Sequence, residues 1–200
     1  MQIYTAIKIG DHHTNYCEDY LITAEIGKHK MLCAVMDGCS MGTDSYFAAT
    51  LTGKLLRKIS KEHNYKEFMS KQDDGLPHLL EKIVRQLFQE LHNQKNLLQL
   101  SREEILNTLL IAVIDISNRS AEFLCVGDGL ININNELFEF EQNDKPDYLG
   151  YHLDEDFLTW YAGQKQRISV QEIKDFSIAT DGIFTFRKLI PKNTRSLVIL

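Results

Sequence analysis

The stretch Met31-Leu32-Cys33-Ala34-Val35-Met36-Asp37-Gly38 decides the fold: a short, almost wholly apolar run, of strand length, leads directly into Asp-Gly. The pattern returns as Phe123-Leu124-Cys125-Val126-Gly127 before Asp128-Gly129, and as Phe176-Ser177-Ile178-Ala179-Thr180 before Asp181-Gly182. With 14 Asp and 11 Gly in the chain, simple multiplication gives about one Asp-Gly step, yet there are four, the fourth being Asp74-Gly75 in a loop. Taken singly, each step reads as hairpin punctuation, because Asp-Gly is a favoured two-residue turn. Taken together, carboxylates at the ends of buried strands need a partner, since a buried acid is costly unless paired or bound to a cation. Hard divalent ions such as Mg²⁺ and Mn²⁺ prefer carboxylate, carbonyl and water oxygens, and a neighbouring Gly lets a backbone carbonyl come close.

Outward from these strand ends, Gln2 to Ile9 and Tyr20 to Ile26 alternate in part and are β-branched, so both are expected as strands. The acidic pair Glu18-Asp19 immediately precedes the second of them. Apolar residues at helical spacing predict a helix from Asp44 to Ser60 and another from Leu76 to Leu98. Ser101 with Glu104 has the form of a capping box, followed by a strand-like run from Thr108 to Ile116. Ala121 to Val126, Leu130 to Ile133 and Leu137 to Phe140 then predict antiparallel hairpins joined by polar turns. Asn143 to Tyr161, with Lys145-Pro146-Asp147, reads as a long surface loop or flap, and Asp175 to Thr180 and Ser196 to Leu200 as a last pair of strands. Strands in both halves with helices between them predict an α+β fold, two stacked antiparallel sheets with helices outside, in a single domain over residues 1–200.

Composition narrows the function class. The chain has 200 residues with 44% hydrophobic and 25% charged, as ordinary globular domains do. Its formal charge of −6 disfavours nucleic acid and anionic membrane surfaces as partners. No apolar run reaches the roughly 20 residues of a membrane span, and Met1 to His13 lacks the regions of a signal peptide, so a cytoplasmic protein is expected. Cys17, Cys33, Cys39 and Cys125 are scattered without metal-finger or disulfide-framework spacing and are expected to be reduced. There is no GxSxG elbow and no P-loop.

In order, Asn15-Tyr16-Cys17-Glu18-Asp19, Ala34-Val35-Met36-Asp37-Gly38, Val126-Gly127-Asp128-Gly129 and Ala179-Thr180-Asp181-Gly182 resemble the acidic motifs of the metal-dependent protein phosphatase 2C family, in its bacterial form. The resemblance implies a four-layer α-β-β-α sandwich and a site for two Mn²⁺ or Mg²⁺ ions, with a weaker third ion in some members. It also implies hydrolysis of phosphoserine or phosphothreonine in a phosphorylated protein by a metal-activated water. Carried onto this chain, Asp37 bridges the ions with the Gly38 carbonyl on one of them, Asp181 is a direct ligand, and Glu18 acts partly through water. Asp19 supports the cluster and Asp128 lies nearby, so Asp37, Asp181 and Asp128 would carry catalysis.

The chain departs from the family at several places. Thr14 stands where members often carry a phosphate-holding Arg, with His12, His13 and Lys8 as substitutes, and Cys39 stands where some have a His after Asp-Gly. The C-terminal motif is degenerate, with Asn193 where a metal-binding Asp is expected, and Gly182 to Asn193 is short for the family. An Asn oxygen can ligate but brings no charge. The alternative is therefore a catalytically weak or inactive phosphatase-like module that binds or regulates a partner.

Overall fold

The computed structural model of the chain describes residues 1–10, 16–40, 42, 44–70, 75–142 and 146–185. Its strands are β1 (Asp19–Gly27), β2 (Lys30–Asp37), β3 (Leu109–Asp115), β4 (Ser120–Val126), β5 (Gly129–Ile133), β6 (Glu136–Phe140), β7 (Arg167–Val170) and β8 (Phe176–Ala179). The helices are α1 (Ser45–Ser70), α2 (Leu76–Leu98) and α3 (Phe157–Gly163). All pairing is antiparallel: one sheet runs β1-β2-β3-β4-β7 and the other β6-β5-β8.

Strand β3 explains the layering. Every one of its residues is buried, and alternate side chains go to opposite faces. Leu109, Ile111 and Val113 join the core beneath the helices, while Leu110, Ala112 and Ile114 join the core between the two sheets. A strand covered on both faces needs apolar residues throughout, which is why this segment reads as a continuous run rather than an alternating one. Each such fully buried side chain contributes roughly 1.5–3 kcal/mol. The helix-side core takes Leu56 and Ile59 from α1 and Leu80, Ile83, Val84 and Leu87 from α2. The two stacked antiparallel sheets with helices outside are the expected α+β architecture, and the three described helices gather over the five-stranded sheet.

Several expectations are corrected. Residues 1–10 form no strand and are exposed, Ile3, Tyr4 and Ile7 included, because alternation makes a strand only when a sheet edge accepts it. Helix α1 continues ten residues past Ser60, through a polar stretch held by partners rather than by an apolar stripe. Lys58 Nζ pairs with Glu90 Oε1 at 2.6 Å, and Gln86 Nε2 donates to Glu62 Oε2 at 2.5 Å. Near its end, Glu67 Oε1 meets the buried Lys30 Nζ at 2.9 Å, and Glu67 Oε2 accepts from the Lys28 N–H at 3.2 Å, clamping the β1–β2 turn.

The supposed flap also holds structure. Asp156 caps α3 by accepting from the Thr159 N–H at 2.8 Å. Trp160 and Tyr161 are buried, and Trp160 lies against Phe88 of α2 at 4.4 Å between ring centroids. The segment then adds β7 to the edge of the larger sheet. The expected strand Ser196 to Leu200 lies outside the described residues. Of the capping box expected from Ser101 and Glu104 one half forms, the Ser101 N–H donating to Glu104 Oε2 at 2.8 Å, while the short 3-10 turn that follows begins from Arg102 without a side-chain cap.

Candidate metal centre

Register builds the site. β1 begins at Asp19 and β2 ends at Asp37, and the two are paired directly across the ladder. The ladder runs one step further, the Gly38 N–H donating to the Glu18 carbonyl at 3.1 Å. On its other side Asp37 is fixed by Thr108: the Thr108 N–H donates to the Asp37 carbonyl at 2.8 Å, and the Asp37 N–H donates to Thr108 Oγ1 at 3.1 Å. Gly38 has no room for a side chain, since a Cβ there would lie 1.9 Å from the Ser45 carbonyl oxygen at the start of α1.

From the smaller sheet, β8 ends one residue before Thr180 and delivers Asp181 to the same end of the sandwich. Glu18, Asp19, Asp37 and Asp181 act on one another there. Asp37 is pushed up to about 8, first by burial and then by the charges of Asp19, Asp181 and Glu18, and it shares a hydrogen bond with Asp181. Burial likewise raises Asp19, against the lowering effect of a hydrogen bond with Thr180. Asp19 Oδ1 is buried and has no hydrogen-bond partner. Asp181 itself is exposed.

Two further expected members have contacts of their own. Glu18 is held by hydroxyls, Ser40 Oγ donating to its Oε2 at 2.8 Å and Ser45 Oγ to its Oε1. Asp128 sits in the two-residue passage from β4 to β5, where its charge adds to burial in raising the Cys125 thiol. That passage is tightly held: Gly127 adopts φ +92, and Gln166 Nε2 donates to the carbonyls of Gly127 at 3.0 Å and Cys125 at 3.2 Å. Asn193, Thr14, His12 and His13 lie outside the described residues. Cys39 is buried, its N–H donating to the Leu106 carbonyl at 3.0 Å, and its side chain hydrogen-bonds Tyr148. All four cysteines are free.

Thr108, Ser40, Ser45 and Tyr148 are the site residues that sequence reasoning missed. The serines were findable, since hydroxyls a few residues after Asp37-Gly38 suit the N-terminus of the helix that follows. The donor set suits a hard divalent cation in kind: several carboxylates, a buried oxygen lacking a proton donor, and electrostatic repulsion that a cation would relieve. Among the described residues, no group of three or more His, Cys, Asp or Glu side chains is already arranged to hold an ion. Asp37 and Asp181 are instead hydrogen-bonded to each other.

Comparisons with known proteins bear on the family and the fold. No curated protein matches the sequence. Among solved structures, the fold is similar to that of a bacterial serine phosphatase bearing an arginine mutation, with TM-score 0.60, 13% identity, and coverage of 88% of this chain and 75% of the other. It is also similar to a serine/threonine phosphatase from Staphylococcus aureus, with TM-score 0.52, 14% identity and coverage of 86% and 68%. RsbX in complex with magnesium matches with TM-score 0.50, 18% identity and coverage of 86% and 69%. The sequence pattern described as protein phosphatase 2C runs through residues 10–197. A family pattern over nearly the whole chain, joined to this sandwich and its carboxylate-bearing strand ends, makes the chain a member of the protein phosphatase 2C family.

Proposed function

We propose that residues 1–200 form one domain that hydrolyses phosphoserine or phosphothreonine in a phosphorylated protein, using two Mn²⁺ or Mg²⁺ ions. The observation that carries this reading is the meeting of Asp19 and Asp37 from one sheet with Asp181 from the other, where burial and mutual repulsion hold Asp37 at about 8. Asp37, Asp181 and Asp19 would hold the ions, with the Gly38 carbonyl beside them, Glu18 acting partly through water, Asp128 nearby and Asn193 standing in for the family's metal-binding Asp. When bound, the ions supply Lewis acidity, activating the attacking water and neutralising phosphoryl charge.

The chain's own residues do the rest. Thr108 and Gly38 fix the Asp37 backbone, so the carboxylate is aimed by main-chain bonds rather than by a flexible loop. Ser40 and Ser45 hold the Glu18 carboxylate at the start of α1. No described helix is long and apolar enough to cross a membrane, which is compatible with action in the cytoplasm.

Purified protein should hydrolyse phosphoserine peptides only with added Mn²⁺ or Mg²⁺, and Asp37→Ala and Asp181→Ala should each lower kcat by about a hundredfold or more. Unchanged turnover in both variants overturns the reading. A catalytically weak binding module is the second reading, favoured by the direct hydrogen bond between Asp37 and Asp181. Metal-dependent turnover by the wild-type protein excludes it.

A further inference from the structure

A ledge of two tyrosines and an arginine borders the carboxylate cluster, and the hydrolytic chemistry makes no use of it. Tyr148 is half-buried; its side chain hydrogen-bonds Cys39, two residues beyond Asp37, and lies within electrostatic reach of Asp37. Its backbone is tied to the same strand end, because the next residue's N–H, that of Leu149, donates to the Asn107 carbonyl at 3.3 Å and Asn107 is bridged to Gly38. Tyr151 packs edge-on against Tyr148, with ring centroids 5.5 Å apart and planes at 71°. Arg102 Cζ lies 4.6 Å from the centroid of the Tyr151 ring.

Arg102 is exposed, and its guanidinium pairs with no carboxylate among the described residues. Glu104, two residues on, is turned back onto the Ser101 N–H. A guanidinium stacked on an aromatic face is pre-oriented and keeps its donor edge open to an anion, so it loses less freedom on pairing than a solvated Lys does. The steps of 4.6 Å and 5.5 Å put it no more than about 10 Å from the Tyr148 ring, the span of about three extended residues. On a chain of formal charge −6, an exposed cation this close to the acidic centre offers an acidic side chain of the bound peptide its complement.

We propose that Tyr148, Tyr151 and Arg102 seat the peptide flanking the phosphoresidue, and that Arg102 selects substrates with an acidic side chain about three residues from it. The inference rests on the reading of the carboxylate cluster as a phosphoester site, and its test separates the two. Two labelled peptides carrying a non-hydrolysable phosphoserine analogue, one with Glu and one with Gln three residues away, are titrated with the protein in Mn²⁺ by fluorescence anisotropy.

The wild-type protein should bind the Glu peptide about five-fold more tightly. Arg102→Ala should bring the ratio to about one, Arg102→Lys should keep part of it, and Tyr151→Phe, which retains the ring, should keep most of it. A wild-type ratio of one, or a ratio that Arg102→Ala leaves unchanged, overturns the proposal. Turnover of the matching phosphoserine peptides is measured alongside. Discrimination without turnover refutes the catalytic reading and upholds the ledge, and turnover without discrimination does the reverse.

Discussion

Asp19 and Asp37 stand directly opposite each other across the β1–β2 ladder, the first residue of one strand facing the last of the next. Two carboxylates are thereby fixed at one end of the sheet by backbone hydrogen bonds. With Asp181 brought in from the other sheet, they make a partly buried knot of like charge whose electrostatic cost falls on the fold. Removing one charge should relieve it. Asp37→Asn is expected to raise the stability of the metal-free protein by about 1 kcal/mol or more while abolishing the stabilisation that Mn²⁺ gives the wild type. Thermal melts of both proteins with and without Mn²⁺ check this; a wild type that ignores Mn²⁺ counts against it.

Gly38 should tolerate no substitution. The Ser45 carbonyl oxygen that a Cβ would strike belongs to the first residue of α1 and cannot rotate away as a side-chain tip can. Gly38→Ala is expected to cost about 3 kcal/mol in urea unfolding and to disturb the Glu18–Ser45 contact.

Lys30 is buried against Glu67, and the pair holds the polar extension of α1 on the β1–β2 turn. Glu67→Ala leaves a buried ammonium without that carboxylate and should destabilise by about 3 kcal/mol, whereas Lys30→Met with Glu67→Leu should cost much less. Equal losses in the single and double variants would refute the assignment.

His152 provides a pH signal. Burial lowers its affinity for a proton, but hydrogen bonds and charge from Asp147 and Glu155 outweigh burial, and the net direction is upward. A folded-state pKa above the unfolded value of about 6.5 means that the stabilisation is full below that value and is lost as pH rises through the folded one. The imidazole lies 5.6 Å from the ring of Trp160, the sole tryptophan. Tryptophan emission should therefore titrate with a midpoint above 6.5 in the wild type, and lower in Asp147→Asn. An unmoved midpoint in that variant would show that the ion pair does not set it.

The sandwich was legible in the sequence wherever burial alone dictates residue type. Leu109 to Ile114, covered on both faces, has to be continuously apolar, and most of the strand ending at Asp37 carries the same mark. The site was legible through its carboxylates, since acids repeated at the ends of buried strands are too costly to stand there without a compensating charge. What was not legible depends on partners far away in sequence. Glu67 extends α1 because Lys30 needs it, and α3 forms where Trp160 finds Phe88, neither of which a local pattern contains. The opposite error, a strand over residues 2–9, comes from the same source: alternation supplies the side chains of a strand but not its neighbour.

The passage from β4 to β5 takes only Gly127 and Asp128, with Gly127 at positive φ and clamped by Gln166. Asp37 and Asp181 lie on opposite sides of that crossing, far apart along the chain yet touching. Without a cation the two carboxyls strain the seam between the sheets; bridged by one, they would close a loop of about 140 residues whose freedom the unfolded chain would recover. A cation that bridges the pair should slow the peeling of one sheet from the other, so the chemistry at this end of the sandwich and the lifetime of the folded state are governed by the same pair of side chains.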